Sequence, residues 1–152
     1  MREELVGRSW WEELQQEFSK DYIKDLRNFL VSRYQSKVTV YPRPSDIFRA
    51  FKLCELDKVK VIILGQDPYH NGSADGLSFS SQAYNRPKSL QVIFKEIDKQ
   101  LFKSESPEEF NNNFKGHDLT CWAKQGVFLL NSCLTVEKGK PNSHLDRDWE
   151  TG

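Results

Sequence analysis

The stretch "GQDPYHNGSADGLSFSS", residues 65–81, follows the apolar run "VKVIILG" and sets Asp67, Tyr69, His70, Asp75 and Phe79 within fifteen positions. A carboxylate can serve as an acid, a base or a fixed charge, and an imidazole can donate or accept a proton. Aromatic rings can wall a flat ligand. A second apolar run, "GVFLLN", ends in Asn131, whose amide sets a donor beside an acceptor. Together these side chains suit a planar, neutral, hydrogen-bonding ligand, of which a nucleobase is one. On residue types alone a structural role competes, because aromatics fill cores and an aspartate before proline often marks a turn.

Other chemistries fit less well. Gly65 and Gly72 bracket a turn after a strand, but the G-K-[ST] ending of a phosphate loop is absent and Asp67 would repel phosphate. Asp67, His70, Asp75 and His144 offer oxygen and nitrogen to a metal, yet no HxH, DxD or HExxH spacing marks a chelating pair. A serine triad would need a G-x-S-x-G elbow, which the sequence lacks.

The elements that must hold these residues are legible in outline. "KVKVIIL" and "GVFLLN" read as buried strands, β-branched, apolar and short. Between them the spacing of Leu90, Ile93, Phe94, Ile97 and Leu101 predicts a helix over about 89–102, and "DLTCWAKQ" a shorter one closed by Gly126. Upstream, Ser9 and Glu12 match a capping box ahead of Trp10, Trp11, Leu14 and Phe18. "DYIKDLRNFLVSRY" predicts a second amphipathic helix with a core face of Tyr22, Ile23, Leu26, Phe29 and Leu30. Beyond "VTVYPRP", Ser45 or Asp46 is placed to cap a short helix. "KSESPEEFNNNF" reads as a polar surface loop. Strands alternating with helices imply an α/β fold with a parallel sheet, and such sheets bind ligands beyond the carboxyl ends of their strands. Gly65 and Asn131 are therefore expected to share one pocket mouth, with Trp149 near the sheet edge.

At 152 residues, with 38% apolar content, the chain predicts a single domain with a real core. Basic and acidic residues balance at 22 each, so charge predicts no broad affinity for nucleic acid. Cys54, Cys121 and Cys133 are odd in number and lack CxxC spacing, which argues against a disulfide framework or structural zinc and for a reducing compartment. No apolar run has signal-peptide or membrane-spanning length, so an intracellular protein with no membrane partner is expected.

"GQDPYH", then "GLSFS", "RPKSL" and "WAKQGVFLLNSCLTV", in this order, resemble the family 1 uracil-DNA glycosylases, as does the upstream "VYPRPSDIFRAFKLCELDKVKVIILG". The resemblance covers nearly the whole chain. It implies a three-layer sandwich around a central parallel sheet, and hydrolysis of the N-glycosidic bond of deoxyuridine in DNA, the base being flipped out of the stack. It assigns Asp67 and His70 to catalysis, and Gln66, Tyr69, Phe79 and Asn131 to uracil: Phe79 stacks, Asn131 reads the base edge and Tyr69 excludes the thymine methyl. Pro87 and Ser89, ahead of a helix, are implied to meet DNA phosphate. No metal or cofactor is implied. The implied partner is uracil-containing DNA, with a proteinaceous glycosylase inhibitor as a further one, for a monomeric cytoplasmic protein of bacterial type.

Departures qualify the match. Lys88 stands where the family often has a second proline, and Asp148 where it commonly has a glycine before Trp149-Glu150. The family's late H-P-S-P-L-S segment, with its anion-stabilising histidine and intercalating leucine, has no counterpart in residues 1–152. The expectation is thus a single domain over 1–152 that is incomplete at its C-terminus, lacks a strand and helix, and releases uracil poorly by itself. One edge of "GVFLLN" is expected to be uncovered. The alternative is a uracil- or DNA-binding remnant without turnover.

Overall fold

The computed structural model describes residues 3–145; Trp149 lies outside the described residues. The first helix, α1 (Arg8–Leu14), begins on Gly7 with no side-chain cap. The expected capping box does not form, because Ser9 Oγ instead accepts the Leu56 N–H (3.1 Å) and Glu12 pairs with Arg8. Trp10 anchors the helix: its ring stacks on Phe128 with centroids 4.6 Å apart, and its indole N–H donates to the Cys54 carbonyl at 2.7 Å. Helix α2 (Asp21–Gln35) forms as its spacing predicts. None of its residues is fully buried; the face carrying Tyr22, Ile23, Leu26 and Leu30 lines an apolar groove with Phe18 and Phe48 rather than the centre of the core.

The chain then passes through β1 (Val40–Tyr41) and a 3-10 turn, Pro44–Asp46, into α3 (Arg49–Leu53). Neither Ser45 nor Asp46 caps α3, whose cap position falls on Phe48. Arg43 draws the Asp46 carboxylate away, at 3.2 Å.

Strand β2 (Val61–Gly65) leads into the polar segment, and the chain continues through α4 (Lys88–Ile97), α5 (Pro107–Asn113) and α6 (Thr120–Lys124). A π-helical turn, Asp98–Phe102, extends α4. Its extra residue per turn rotates the apolar face, and Leu101, expected on that face, is 74% exposed. The predicted surface loop at 103–114 is instead largely α5. Ser106 Oγ accepts the Glu109 N–H (3.2 Å), Pro107 occupies the first turn, and Phe114 is buried against Phe94.

Strand β3 (Val127–Asn131) pairs with β2 in parallel, from Val61 opposite Val127 to Gly65 opposite Asn131. This is the α/β fold with a parallel sheet. Strand β4 (Val136–Glu137) closes on β1 as a separate antiparallel pair. The two parallel strands differ in cover. Phe128 and Leu129 are buried in a core shared with Ala50, Leu77, Leu90 and Phe94. Ile62, the register partner of Phe128, is 66% exposed, and Val61 and Leu64 are exposed too. The expectation that "KVKVIIL" is buried is therefore not met, and the uncovered apolar surface lies on β2 rather than beside "GVFLLN"; among the described residues each of the two strands has the other as its one neighbour, so both keep an open edge. Trp10 and Phe51 reach β3 and stop there, and among the described residues β2 has no second strand beside it.

Candidate active site

Gly65 and Asn131 end their strands side by side, and the backbone locks them together. Gly65 O accepts the Ser132 N–H, and Gln66 O accepts both the Cys133 N–H and the Ser132 hydroxyl, each at 2.9 Å. Only glycine fits at 65, since a Cβ there would lie 2.2 Å from Asn131 Oδ1. The absent side chain is what lets the Asn131 amide sit at the strand end, buried.

Beyond these ends opens a cleft of about 310 Å³. Gln66, Asp67, Tyr69, His70, Phe79, Ser89 and Asn131 all line it. Pro87 is not among the lining residues; it occupies the cap position of α4, and Ser89 reaches the cleft from the first turn. There Ser89 Oγ hydrogen-bonds the Tyr69 hydroxyl at 2.8 Å. Burial pushes the Tyr69 phenol above its ordinary range, with Asp75 adding to this and Ser89 opposing it, so the group is neutral near pH 7.

Phe79 holds its ring in the cleft wall with φ at +62°, a left-handed conformation that costs a bulky residue about 1–3 kcal/mol. Its neighbours impose it. The Ser78 N–H donates to Leu129 O at 3.1 Å, while Ser80 Oγ donates to Asp75 at 2.6 Å and accepts the Leu119 N–H at 3.0 Å. Asp75 is the knot of this loop. It is 4% exposed, accepts the Leu77 N–H and the Gln82 amide at 3.2 Å each, and pairs with Arg49 at 3.0 Å. Gly76 is forced too, because a Cβ at its φ of +88° would meet Asp46 O at 2.0 Å.

Asp67 is treated differently. It is half-buried, and its Oδ2 accepts the main-chain N–H of Asn142 at 2.8 Å. The same turn donates the Gly139 N–H to His70 O at 2.9 Å, and Pro141 lines the cleft. Sequence reasoning missed this turn. "KGKPNSH" does carry the Gly, Pro and Asn of a turn, but nothing local says that it folds onto a residue 75 positions earlier.

The fourth residue considered for a metal, His144, is fully buried away from the cleft lining, with Nδ1 against Thr135 Oγ1 at 2.9 Å. Among the described residues no three His, Cys, Asp or Glu side chains gather as a metal set. What the cleft offers is a carboxylate, an amide at the strand end and two aromatic rings.

The comparisons with known proteins converge. Residues 51–151 match the family model described as the uracil DNA glycosylase superfamily. A uracil-DNA glycosylase of Borrelia turicatae is 47% identical over 148 residues, covering 95% of this chain and 63% of the relative. One from Bacillus licheniformis is 44% identical over 150 residues, covering 97% and 62%. The chain thus spans a little under two thirds of the length of these curated relatives. Among solved structures, mimivirus uracil-DNA glycosylase superposes with a TM-score of 0.83 at 28% identity, covering 97% of this chain and 54% of that one.

Proposed function

The chain belongs to the uracil DNA glycosylase superfamily, and from that premise we propose that it serves base-excision repair by hydrolysing the N-glycosidic bond of deoxyuridine in DNA. The observation that carries this reading is the convergence of Asp67, Tyr69, His70, Phe79 and Asn131 on one cleft at the joined ends of two parallel strands.

In this reading a flipped uracil enters the cleft flat against Phe79, a stack worth about 1–3 kcal/mol. The Asn131 amide donates to the uracil carbonyl and accepts from the adjacent N–H. Cytosine presents the opposite pattern and would leave both partners unpaired. The Tyr69 ring fills the space beside C5, where thymine carries its methyl. The Gln66 carbonyl is already taken by Cys133 and Ser132, so the residue's contribution to uracil is its main-chain N–H.

The C1′–N1 bond breaks with its electron pair leaving on uracil, and the sugar becomes cationic. Asp67 stabilises that cation, and its charge counts for more once DNA excludes bulk water. Among the described residues no donor reaches Asp67 Oδ1, so this oxygen is the one to aim a water at C1′, with His70, which lines the same cleft, helping to place it. The water's oxygen bonds to C1′ and one of its protons passes to solvent, while the departing uracil anion takes up a proton from solvent, so that free uracil and an abasic site result. Pro87 and Ser89 meet the flanking phosphate at the start of α4.

The partner is uracil-containing DNA. The mimivirus enzyme has been solved in complex with UGI, and a protein inhibitor of that kind is a second partner we propose. Among the described residues no helix is long and apolar enough to cross a membrane. Three free cysteines suit the reducing cytoplasm, where we place the protein as a monomer. The test is release of free uracil from an oligonucleotide with one deoxyuridine. It is run on the chain and on the chain extended by the part of the Borrelia turicatae relative beyond the match. Release that depends on Asp67 supports the reading; none from either protein sinks it.

A further inference from the structure

The turn that meets Asp67 is itself built around a buried acid. Glu137, at the end of β4, is 6% exposed. Its Oε1 pairs with Arg33 Nη2 of α2 at 2.5 Å, and its Oε2 with Lys140 Nζ at 2.9 Å. Its main-chain N–H donates to Ser143 Oγ at 2.9 Å, and its carbonyl accepts the Lys140 N–H at 3.1 Å. Every one of these bonds ties Glu137 to the turn at 138–143 or to α2. Between Lys140 and Ser143 lies Asn142, with φ at +60° and its N–H aimed at Asp67 Oδ2.

We propose, resting on the glycosylase reading, that Glu137 is a positioning residue for Asp67: clamped between Arg33 and Lys140, it holds the 138–143 turn so that the Asn142 N–H fixes the carboxylate's orientation. The physical logic lies in the choice of donor. Arg33 and Lys140 would hold Asp67 more strongly if they bound it directly, but they would also cancel the negative charge that the sugar cation needs. A neutral main-chain N–H orients the carboxylate and leaves that charge in place. The cations instead spend their attraction on Glu137, which cannot reach the reacting atoms except through the turn. Small misplacements of a catalytic group are costly, so the effect belongs to turnover rather than to substrate binding.

The experiment uses the 152-residue chain, labelled with ¹⁵N. An N–H donating to a carboxylate resonates downfield and exchanges slowly, so the Asn142 amide reports the contact. Asp67→Asn should move that resonance upfield. Glu137→Gln, nearly isosteric, should move it in the same direction and speed its exchange about tenfold or more. Lys140→Met, at an exposed side chain, should do so to a smaller degree. In uracil release by the extended chain, Glu137→Gln should lower kcat about tenfold with KM unchanged. In an Asp67→Asn background it should lower kcat no further, whereas damage to the fold would add. An Asn142 amide indifferent to Glu137→Gln and Lys140→Met overturns the proposal, as does a kcat loss additive with Asp67→Asn. If the amide responds as stated while the wild-type proteins release no uracil, the clamp stands and the glycosylase reading fails.

Discussion

Asp67 and Asp75 lie eight residues apart in one segment, and their carboxylates receive opposite treatment. Asp75 is enclosed, with Arg49, Ser80, Gln82 and the Leu77 N–H spread over its two oxygens. Asp67 is half-exposed and accepts one main-chain N–H. A saturated carboxylate has its charge and lone pairs spoken for and can only hold structure. One with a single neutral donor is oriented yet still free to act on a substrate. In the proposed reading, the number and charge of the partners, not the residue type, separate the scaffold acid from the chemical one.

Substitution should split the pair cleanly. Asp67→Asn should lower uracil release by about 10²–10³-fold, while a urea titration should show stability within about 0.5 kcal/mol of wild type. Asp75→Ala should do the reverse in the first instance, costing about 3 kcal/mol by leaving Arg49 facing an unpaired, poorly hydrated site. Its activity at a temperature where it stays folded should exceed that of Asp67→Asn. Equal stability losses at the two positions would erase the distinction.

The aromatic wall of the cleft allows a finer test. Tyr69 hydrogen-bonds Ser89 and so keeps its ring across the cleft. Tyr69→Ala should raise thymine release from a T-containing oligonucleotide by about tenfold, the scale on which a pocket discriminates one methyl group. A mutant that stays strictly uracil-specific would remove the steric role from Tyr69 and leave selectivity to Asn131 alone.

How much of this was readable in advance follows from range. The pocket mouth at Gly65 and Asn131 was legible because two apolar runs stop abruptly at polar residues, and in a parallel pair those stops must coincide. The Asn142 contact was not, because a main-chain N–H leaves no mark on residue choice. Capping shows the same limit in miniature. Ser9 and Glu12 have the right spacing, but tertiary partners claim both side chains. Ser106-Pro107-Glu108-Glu109 has the same spacing plus a proline suited to a first turn, and it does start a helix, although its polar composition suggests a loop. The burial of β2 could not be read at all, since periodicity tells that a strand wants cover and not whether cover arrives. Ile62→Lys should therefore change stability by less than about 0.5 kcal/mol in a urea titration, where the same change at Phe128 would unfold the core.

Glu137 is the third acid and sharpens the contrast by lying between its extremes: saturated like Asp75, yet directed through a turn at Asp67. The Lys140 ammonium first, then the Arg33 guanidinium, hold its carboxyl below the usual carboxylate range, against burial, which pushes it up. A carboxyl that is more acidic folded than unfolded binds fewer protons in the native state, so it stabilises above the ordinary carboxylate pKa. That contribution fades as pH falls through the native value. The melting temperature should accordingly drop from pH 6 towards pH 3, and Glu137→Gln should flatten part of that drop while lowering the plateau. A Glu137→Gln profile that parallels wild type across this window would mean that the clamp carries no ionic stabilisation, and that the turn over Asp67 is held by its backbone bonds alone.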